Sequence, residues 1–227
     1  CYIIFDMEQR IFEILNARSA SFDTYYRLLT EWNEKFNLTA ITERNAVYVK
    51  HFADSLLGEY LVPENATLLD IGAGAGFPSL PIKIVRDDVT LTMVDSLKKR
   101  VNFLSCLIDE LKLDKTTALH ARAEDLNCRG SYDCVVARAV APLNTLCEYC
   151  LPFVKTGGIF IAYKAGDCEE ETAAAKNAVK ILGGDKADII KRRLDDDTVR
   201  SLVVIGKVAD SPAKYPRGKN LPRKSPL

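Results

Sequence analysis

Three glycines at alternate positions, Gly72, Gly74 and Gly76, follow the apolar run Thr67–Ile71 and constrain this chain more than any other stretch. The run has the length of a buried strand. Pro78 then stands where a helix would begin, a place where its missing N–H costs nothing. Strand, glycine turn and helix together make a site that grips a ligand with backbone N–H groups. An ordinary βα turn has the same ingredients, so the rest of the chain must decide between them.

Beyond this point strand-like and helix-like stretches alternate. Residues 89–94 are apolar and end at Asp95, and Ser96 is placed to cap a helix with the stripe Leu97, Val101, Leu104, Ile108 and Leu111. Residues 116–121 and Tyr132–Arg138 predict the third and fourth strands. Pro142 opens a helix with the stripe Leu143, Leu146, Cys147, Cys150, Leu151 and Val154. Gly157-Gly158 turns into a fifth strand over 159–164. Asp167 and Glu170 predict a capping box for a helix that runs to Leu182. Strands over 187–194 and 200–207 flank Asp195-Asp196-Asp197, which reads as a hairpin turn. Ahead of the first strand there is no strand pattern. Ile11, Ile14 and Leu15, then Phe22, Tyr25, Leu29 and Trp32, then residues 43–57 predict three helices. The expectation is an α/β, Rossmann-like fold. It has a mostly parallel seven-stranded sheet, helices on both faces, one antiparallel strand near an edge and an N-terminal helical cap. The cap (1–60) and the sheet domain (61–227) are expected to form one compact unit.

A doubly wound sheet binds ligands at the carboxyl ends of its strands, near the point where strand order reverses. The candidates are therefore Gly72, Ala73, Gly74, Gly76 and Phe77 after the first strand, and Asp95 and Ser96 after the second. Arg122, Ala123, Glu124 and Asp125 follow the third, Arg138 the fourth and Lys164 the fifth. Spacing narrows the ligand. A pyrophosphate turn reads G-x-G-x-x-G, whereas here Phe77 stands in the place of the third glycine. With Asp70 just ahead, the turn resembles the first motif of Rossmann-like S-adenosylmethionine methyltransferases, whose ligand carries a zwitterionic amino acid in place of phosphate. Asp70 either attracts the ligand's ammonium, through water or a nearby turn, or braces the turn. Asp95 lies 19 positions beyond Gly76 and suits the two hydroxyls of a ribose, in adenosine as in NAD. For Arg122, Arg138 and Lys164, pattern alone leaves a functional role and a solvated loop charge equally open.

Competing chemistries lack their residues. The two histidines, His51 and His120, are far apart in sequence, His51 reads as structural, and no metal is expected. Cys147 and Cys150 form C-x-x-C on the apolar stripe of a predicted helix, which assigns them to core packing. Neither G-x-S-x-G nor G-x-x-x-x-G-K-[ST] occurs. Seven cysteines without a paired framework point to the reducing cytoplasm. No stretch has the length of a membrane span. A net charge of zero counts modestly against a nucleic-acid binder. Basic residues still gather at Lys191-Arg192-Arg193 and at Lys207, Lys214, Arg217, Lys219, Arg223 and Lys224. Such a tail is either a solvated face or a track for an RNA backbone.

The motifs taken in order carry a resemblance. Asp70-Ile71-Gly72-Ala73-Gly74-Ala75-Gly76-Phe77-Pro78, Val94-Asp95-Ser96-Leu97-Lys98-Lys99-Arg100, His120-Ala121-Arg122-Ala123-Glu124-Asp125 and Ala137-Arg138-Ala139-Val140-Ala141-Pro142-Leu143 resemble the bacterial 16S rRNA guanine-N7 methyltransferases, the glucose-inhibited division protein B family. Trp32-Asn33-Glu34-Lys35-Phe36-Asn37-Leu38-Thr39 and His51-Phe52-Ala53-Asp54-Ser55 resemble its N-terminal region, and the stretch from Tyr215-Pro216-Arg217-Gly218 to Leu227 resembles its tail. Ser79 stands where glycine is usual, and Tyr163-Lys164-Ala165-Gly166 where Lys-Gly is common. The resemblance implies S-adenosylmethionine as donor and a guanine in the decoding-region loop of 16S rRNA, free or in the small ribosomal subunit, as acceptor. A monomer is expected, with neither metal nor membrane. Gly72, Ala73, Gly74, Gly76 and Phe77 would hold the methionine end. Asp95 and Ser96 would bind the ribose, and Ala123 and Glu124 would sit by the adenine. Arg122, Arg138 and Lys164 would face the RNA and the transferring methyl, with Arg138 also beside the donor. Guanine N7 has a lone pair and no proton, so attack on a sulfonium methyl needs no general base. Two other readings stay open: a methyltransferase of another substrate, and a Rossmann-like module that binds its ligand without catalysis.

Overall fold

The computed structural model describes residues 2–194 and 199–227, so the Asp195-Asp196-Asp197 turn lies outside the described residues. Two helices open the chain, α1 (Tyr2–Ala17) and α2 (Ser19–Phe36). Asn37 ends α2 in the left-handed region at φ 50°, a geometry asparagine tolerates, and its N–H donates to the Asn33 carbonyl. Then α3 (Arg44–Val47), a π turn (Tyr48–Ala53) and α4 (Asp54–Leu56) coil as one stretch. The Glu43 carboxylate caps its start by accepting from the N–H groups of Asn45 and Ala46. The alternating part follows as β1 (Thr67–Ile71), α5 (Ser79–Val85), β2 (Thr90–Asp95), α6 (Lys98–Glu110), β3 (Thr116–His120), β4 (Tyr132–Arg138) and α7 (Leu143–Cys150). It ends with β5 (Val154–Ala165), α8 (Glu169–Ala174), α9 (Lys176–Ile181), β6 (Gly184–Arg193), β7 (Val199–Lys207) and a short α10 (Leu221–Lys224).

The seven strands form one sheet in the order β3-β2-β1-β4-β5-β7-β6. The first five are parallel, and β7 runs antiparallel to both its neighbours. This is the expected mostly parallel sheet, and its order reverses between β1 and β4. In register, Ile71 lies beside Val94, Asp95 beside His120, and Arg138 beside Tyr163, so the strand ends reach one rim. Side chains alternate across β1. Leu68 packs into a layer with α1, α2, α5 and α6, and Leu69 into the opposite layer with α7 and α9. Phe22, Tyr25 and Phe52 of the N-terminal helices are wholly buried in the first layer. Each such ring contributes about 1.5–3 kcal/mol, which makes these helices part of the core.

Local contacts correct several details of the sequence reading. Ser96 does not cap α6. The helix starts at Lys98 behind Leu97, and Asp95 Oδ1 accepts from the Leu97 N–H at 2.9 Å. A charged acceptor one residue upstream replaces the serine. Leu97 itself is exposed. The box of Asp167 and Glu170 does not form either, because Lys191 from β6 pairs with Asp167 and Glu169, and α8 begins without a side-chain cap. The helix expected to reach Leu182 breaks at Ala175. Val154 opens β5, since a 3-10 turn carrying Pro152 ends α7 earlier. Cys147 and Cys150 are fully buried in the second layer, and burial pushes the Cys147 thiol up to about 12.

The basic tail is only partly a surface feature. Lys207 is buried, donates to the Leu182 carbonyl and Ser211 Oγ, and is pushed down to about 8 by its burial. Arg217 grips the buried Glu148 carboxylate through Nε at 2.8 Å, Nη2 at 2.6 Å and its backbone N–H at 2.8 Å. Neither cation is free to track an RNA backbone. Removing one partner of such a pair leaves a buried charge uncompensated. Arg217→Met is expected to cost about 3–5 kcal/mol by urea unfolding. Adding Glu148→Gln to it should recover much of that loss.

Candidate active site

The glycine turn is stitched to the end of β2. The N–H groups of Gly72 and Ala73 both donate to the Val94 carbonyl, at 2.8 and 3.1 Å. Gly76, at φ 95°, has no room for a side chain, because a Cβ would lie 2.5 Å from the Tyr25 hydroxyl and 2.6 Å from Leu80. A Cβ on Gly74, which stands at φ 60°, would meet the Gly72 carbonyl oxygen at 3.8 Å, and the Gly74 N–H donates to Asp95 Oδ2 at 2.9 Å.

Two clefts open at this rim. The first, of about 320 Å³, is bounded by Ile71, Gly72, Val94 and Asp95 from the first two strands. Ser96, Arg122, Ala123 and Glu124 continue its wall, and Val140 closes it. The second, of about 580 Å³, is lined by His51, Asp54, Arg138, Ala139, Lys164 and Arg200. Residues 138–140 are therefore a wall of both clefts. Ala139 sits there at φ 55°, a conformation that costs a non-glycine residue about 1–3 kcal/mol. Its neighbours are held on either side. Val140 presses on Gly72, where a Cβ would lie 2.7 Å from its methyl carbon. Lys164 Nζ donates to the Ala141 carbonyl at 3.0 Å and to Glu171 at 2.7 Å.

Each charged group has a distinct environment. Asp95 is 3% exposed. Its Oδ2 accepts from Gly74 N–H and, at 3.4 Å, from Arg100, whereas Oδ1 accepts from Leu97 N–H alone. Since each carboxylate oxygen takes about two bonds, Oδ1 keeps capacity for one more. Asp54 joins two arginines, Arg138 at 2.7 Å and Arg200 at 2.8 Å. His51 Nδ1 lies 3.1 Å from the Lys50 carbonyl and 3.4 Å from Arg138 Nη2, and Nε2 lies 2.8 Å from Thr39 Oγ1. Burial, and then the Arg138 charge, push His51 down to about 4, so its ring is neutral. Phe77 lies inside an aromatic group, 4.6 Å from the His51 ring, with the Arg138 guanidinium 4.8 Å over its face. Arg122 is largely exposed, 3.9 Å from the buried Glu124.

Asp70 lies wholly buried beneath the turn. It accepts from Ser79 Oγ through one oxygen, and the other has no partner among the described residues. Sequence reasoning missed Asp54 and Arg200, and also Tyr149, Asn220 and Arg223, which line the first cleft. The signal was present only as the motifs around Asp54 and in the tail, which carried the resemblance without a role.

The chain is similar to known proteins in sequence and in fold. A model of the GidB family, described as rRNA small subunit methyltransferase G, matches residues 18–198. Ribosomal RNA small subunit methyltransferase G of Lactococcus lactis subsp. cremoris is 49% identical over 91% of this chain and 90% of that protein. The protein of the same name in Bacillus subtilis is 49% identical over 91% of this chain and 89% of its own length. The fold is shared with the crystal structure of M. jannaschii TYW2 in complex with AdoMet, at a TM-score of 0.56 and 17% identity over 68% of this chain and 74% of that one. It is also shared with the T. thermophilus 16S rRNA N2 G1207 methyltransferase in complex with AdoMet and guanosine, at 0.51 and 19%, over 70% of this chain and 39% of that one.

Burial pushes the Asp70 carboxyl up to about 7, against the lowering pull of its Ser79 bonds and Arg138. The folded chain then keeps a proton that the unfolded chain releases near pH 4. Between about pH 4 and 7 this group therefore lowers stability as pH rises, by about 1.4 kcal/mol for each pH unit, and the loss levels off above that window. Asp70→Asn removes this component. The stability of the variant relative to wild type should rise from pH 5 to pH 7.5 in urea unfolding, whereas a constant difference would mean an ionised Asp70 throughout.

Proposed function

We propose a reaction for this molecule from one premise: the chain belongs to the rRNA small subunit methyltransferase G family. It transfers a methyl group from S-adenosylmethionine to N7 of a guanine in the decoding-region loop of 16S rRNA. The observation that carries the assignment of roles is the 138–140 segment, which walls both clefts. Donor and acceptor then meet across one short loop.

The first cleft fits the donor. Its volume is in the range of small-molecule sites. Its apolar side chains, Ile71, Val94 and Val140, suit a purine nucleoside, and Asp95 Oδ1 has the free capacity a ribose hydroxyl needs. Bound there, S-adenosylmethionine supplies a methyl on a positively charged sulfur. Gly72, Ala73, Gly74 and Gly76 shape the floor for its amino-acid end. Ser96 flanks the ribose, and Ala123 and Glu124 flank the adenine. Asp70 and Phe77 support the turn from below and behind.

The second cleft takes the guanine. Among the described residues that line it, the groups that could act as a base are already engaged. His51 is neutral and bonded on both ring nitrogens, and Asp54 is held by two arginines. None is required, because N7 attacks with its own lone pair. The chain contributes position and exclusion of water. Arg138, fixed by Asp54 and by the Phe77 face, presents its remaining N–H groups to guanine O6 or a phosphate. Arg122, at the mouth, meets the RNA backbone. Lys164 acts on the reaction by holding the shared loop through the Ala141 carbonyl. Among the described residues no helix is long and apolar enough to cross a membrane. The chain works as a monomer in the cytoplasm, on the small ribosomal subunit or its RNA.

Arg138→Ala is expected to slow methylation about 100-fold, with donor affinity by calorimetry within about twofold of wild type. An equal loss of donor affinity would remove Arg138 from the acceptor side. Mass spectrometry of 16S rRNA from cells lacking the chain should show one N7-methylguanine missing. Unchanged modification would overturn the assignment.

A further inference from the structure

We propose that the C-terminal segment 217–227 is a working wall of the donor cleft, in which Asn220 and Arg223 bind the adenosine end of S-adenosylmethionine. The proposal rests on reading the first cleft as the donor site. The segment is remote in sequence from the glycine turn, yet Asn220 and Arg223 line the same cleft as Gly72, Asp95 and Glu124.

The segment is built into place. Arg217 anchors its start on the buried Glu148, and Arg217 Nη2 also donates to the Ser225 carbonyl at 2.8 Å. Thr145 Oγ1 donates to the Pro222 carbonyl at 3.1 Å, and Pro222 is itself buried. Lys219 and Asn220 both stand at φ 58°, a strained pair for residues other than glycine. Such a turn persists only when its surroundings hold it. These contacts fix Asn220 and Arg223 at the cleft.

Their chemistry suits a purine. The Tyr149 hydroxyl donates to Asn220 Oδ1 at 3.3 Å, which directs the amide N–H groups elsewhere, and ring nitrogens of adenine are acceptors. Arg223 Nη2 donates to the Val140 carbonyl at 2.9 Å. A guanidinium has five N–H donors and a flat face that stacks on aromatic rings, so capacity remains. Glu124 and Tyr149 line the same cleft as these two tail residues, at the end read as holding the nucleoside. Through Val140 the tail also touches the loop between the clefts.

Calorimetry with S-adenosylmethionine and with 5′-methylthioadenosine, which lacks the amino-acid part, tests the proposal on the full chain. Arg223→Ala should weaken both ligands by a similar factor of about 10, and Asn220→Ala should weaken both in the same direction. Thermal melting shows that each variant is folded, and Arg223 is exposed enough for its loss to leave the fold intact. Unchanged affinity in both variants overturns the proposal, as does a loss confined to S-adenosylmethionine, which would put the tail at the amino-acid end. Asp95→Asn separates the two levels. If it loses the donor while the tail variants keep it, the donor cleft stands and the tail inference falls. If the wild-type chain binds neither ligand, the donor reading itself falls.

Discussion

Phe77 joins the three parts of this molecule on which the site depends. Its ring stacks on Tyr25 of α2 at 5.4 Å and on His51 of the helical stretch before the sheet at 4.6 Å, and it carries the Arg138 guanidinium from β4 on its face. The N-terminal helices, the glycine turn and the shared loop therefore meet at one side chain. Gly76 makes this possible, because only a residue without Cβ leaves space for the Tyr25 hydroxyl, which bonds the Ala75 carbonyl. A third glycine at position 77, as a pyrophosphate turn would have, removes the ring and the contacts. The departure in spacing that argued against a dinucleotide is thus also what docks the helical cap.

Four of the five buried acids among the described residues divide the electrostatic work by their partners. Glu148 is neutralised by Arg217 and anchors the tail, and Asp54 is shared by two arginines and aims one of them. Asp95 is filled mostly by backbone N–H groups and keeps one place open. Asp70 has a single hydroxyl partner and holds its proton to near neutral pH. The proposed reaction brings a cationic donor and an anionic RNA to the same rim, which calls for fixed charges of both signs within a few residues of each other. Pairing them within the fold holds each at its place.

The sheet was legible because its central strands are buried on both faces and run as short apolar blocks, and the rim residues followed from where those blocks end. Gly72, Asp95, Glu124 and Arg138 all emerge at that rim. Local rules failed where a distant residue offered a better partner. Ser96 lost the helix start to the Asp95 carboxylate, and Asp167 was drawn away by Lys191 from another strand. The second cleft was illegible for a related reason. Its Asp54, Arg138 and Arg200 come from the start of α4 and two strands far apart in sequence, and only the fold brings them together. The tail's charge pattern suggested a solvated or RNA-facing surface, because a buried partner such as Glu148 lies 69 positions away from Arg217 and on a helix that reads as plain core.

The strained Ala139 gives the shared loop its mechanical character. Three independent contacts hold it: Val140 against Gly72, Lys164 on the Ala141 carbonyl and Arg223 on the Val140 carbonyl. Val140 lines the first cleft, and Arg138 and Ala139 line the second, so in the proposed reaction donor and acceptor sit on opposite sides of this loop. The loop is short and pinned at several points on both sides. Binding linkage then requires any effect of the donor on RNA affinity to equal the effect of RNA on donor affinity. A site that uses no general base gains most from such a wall, since its rate depends on how well two ligands are aligned across it.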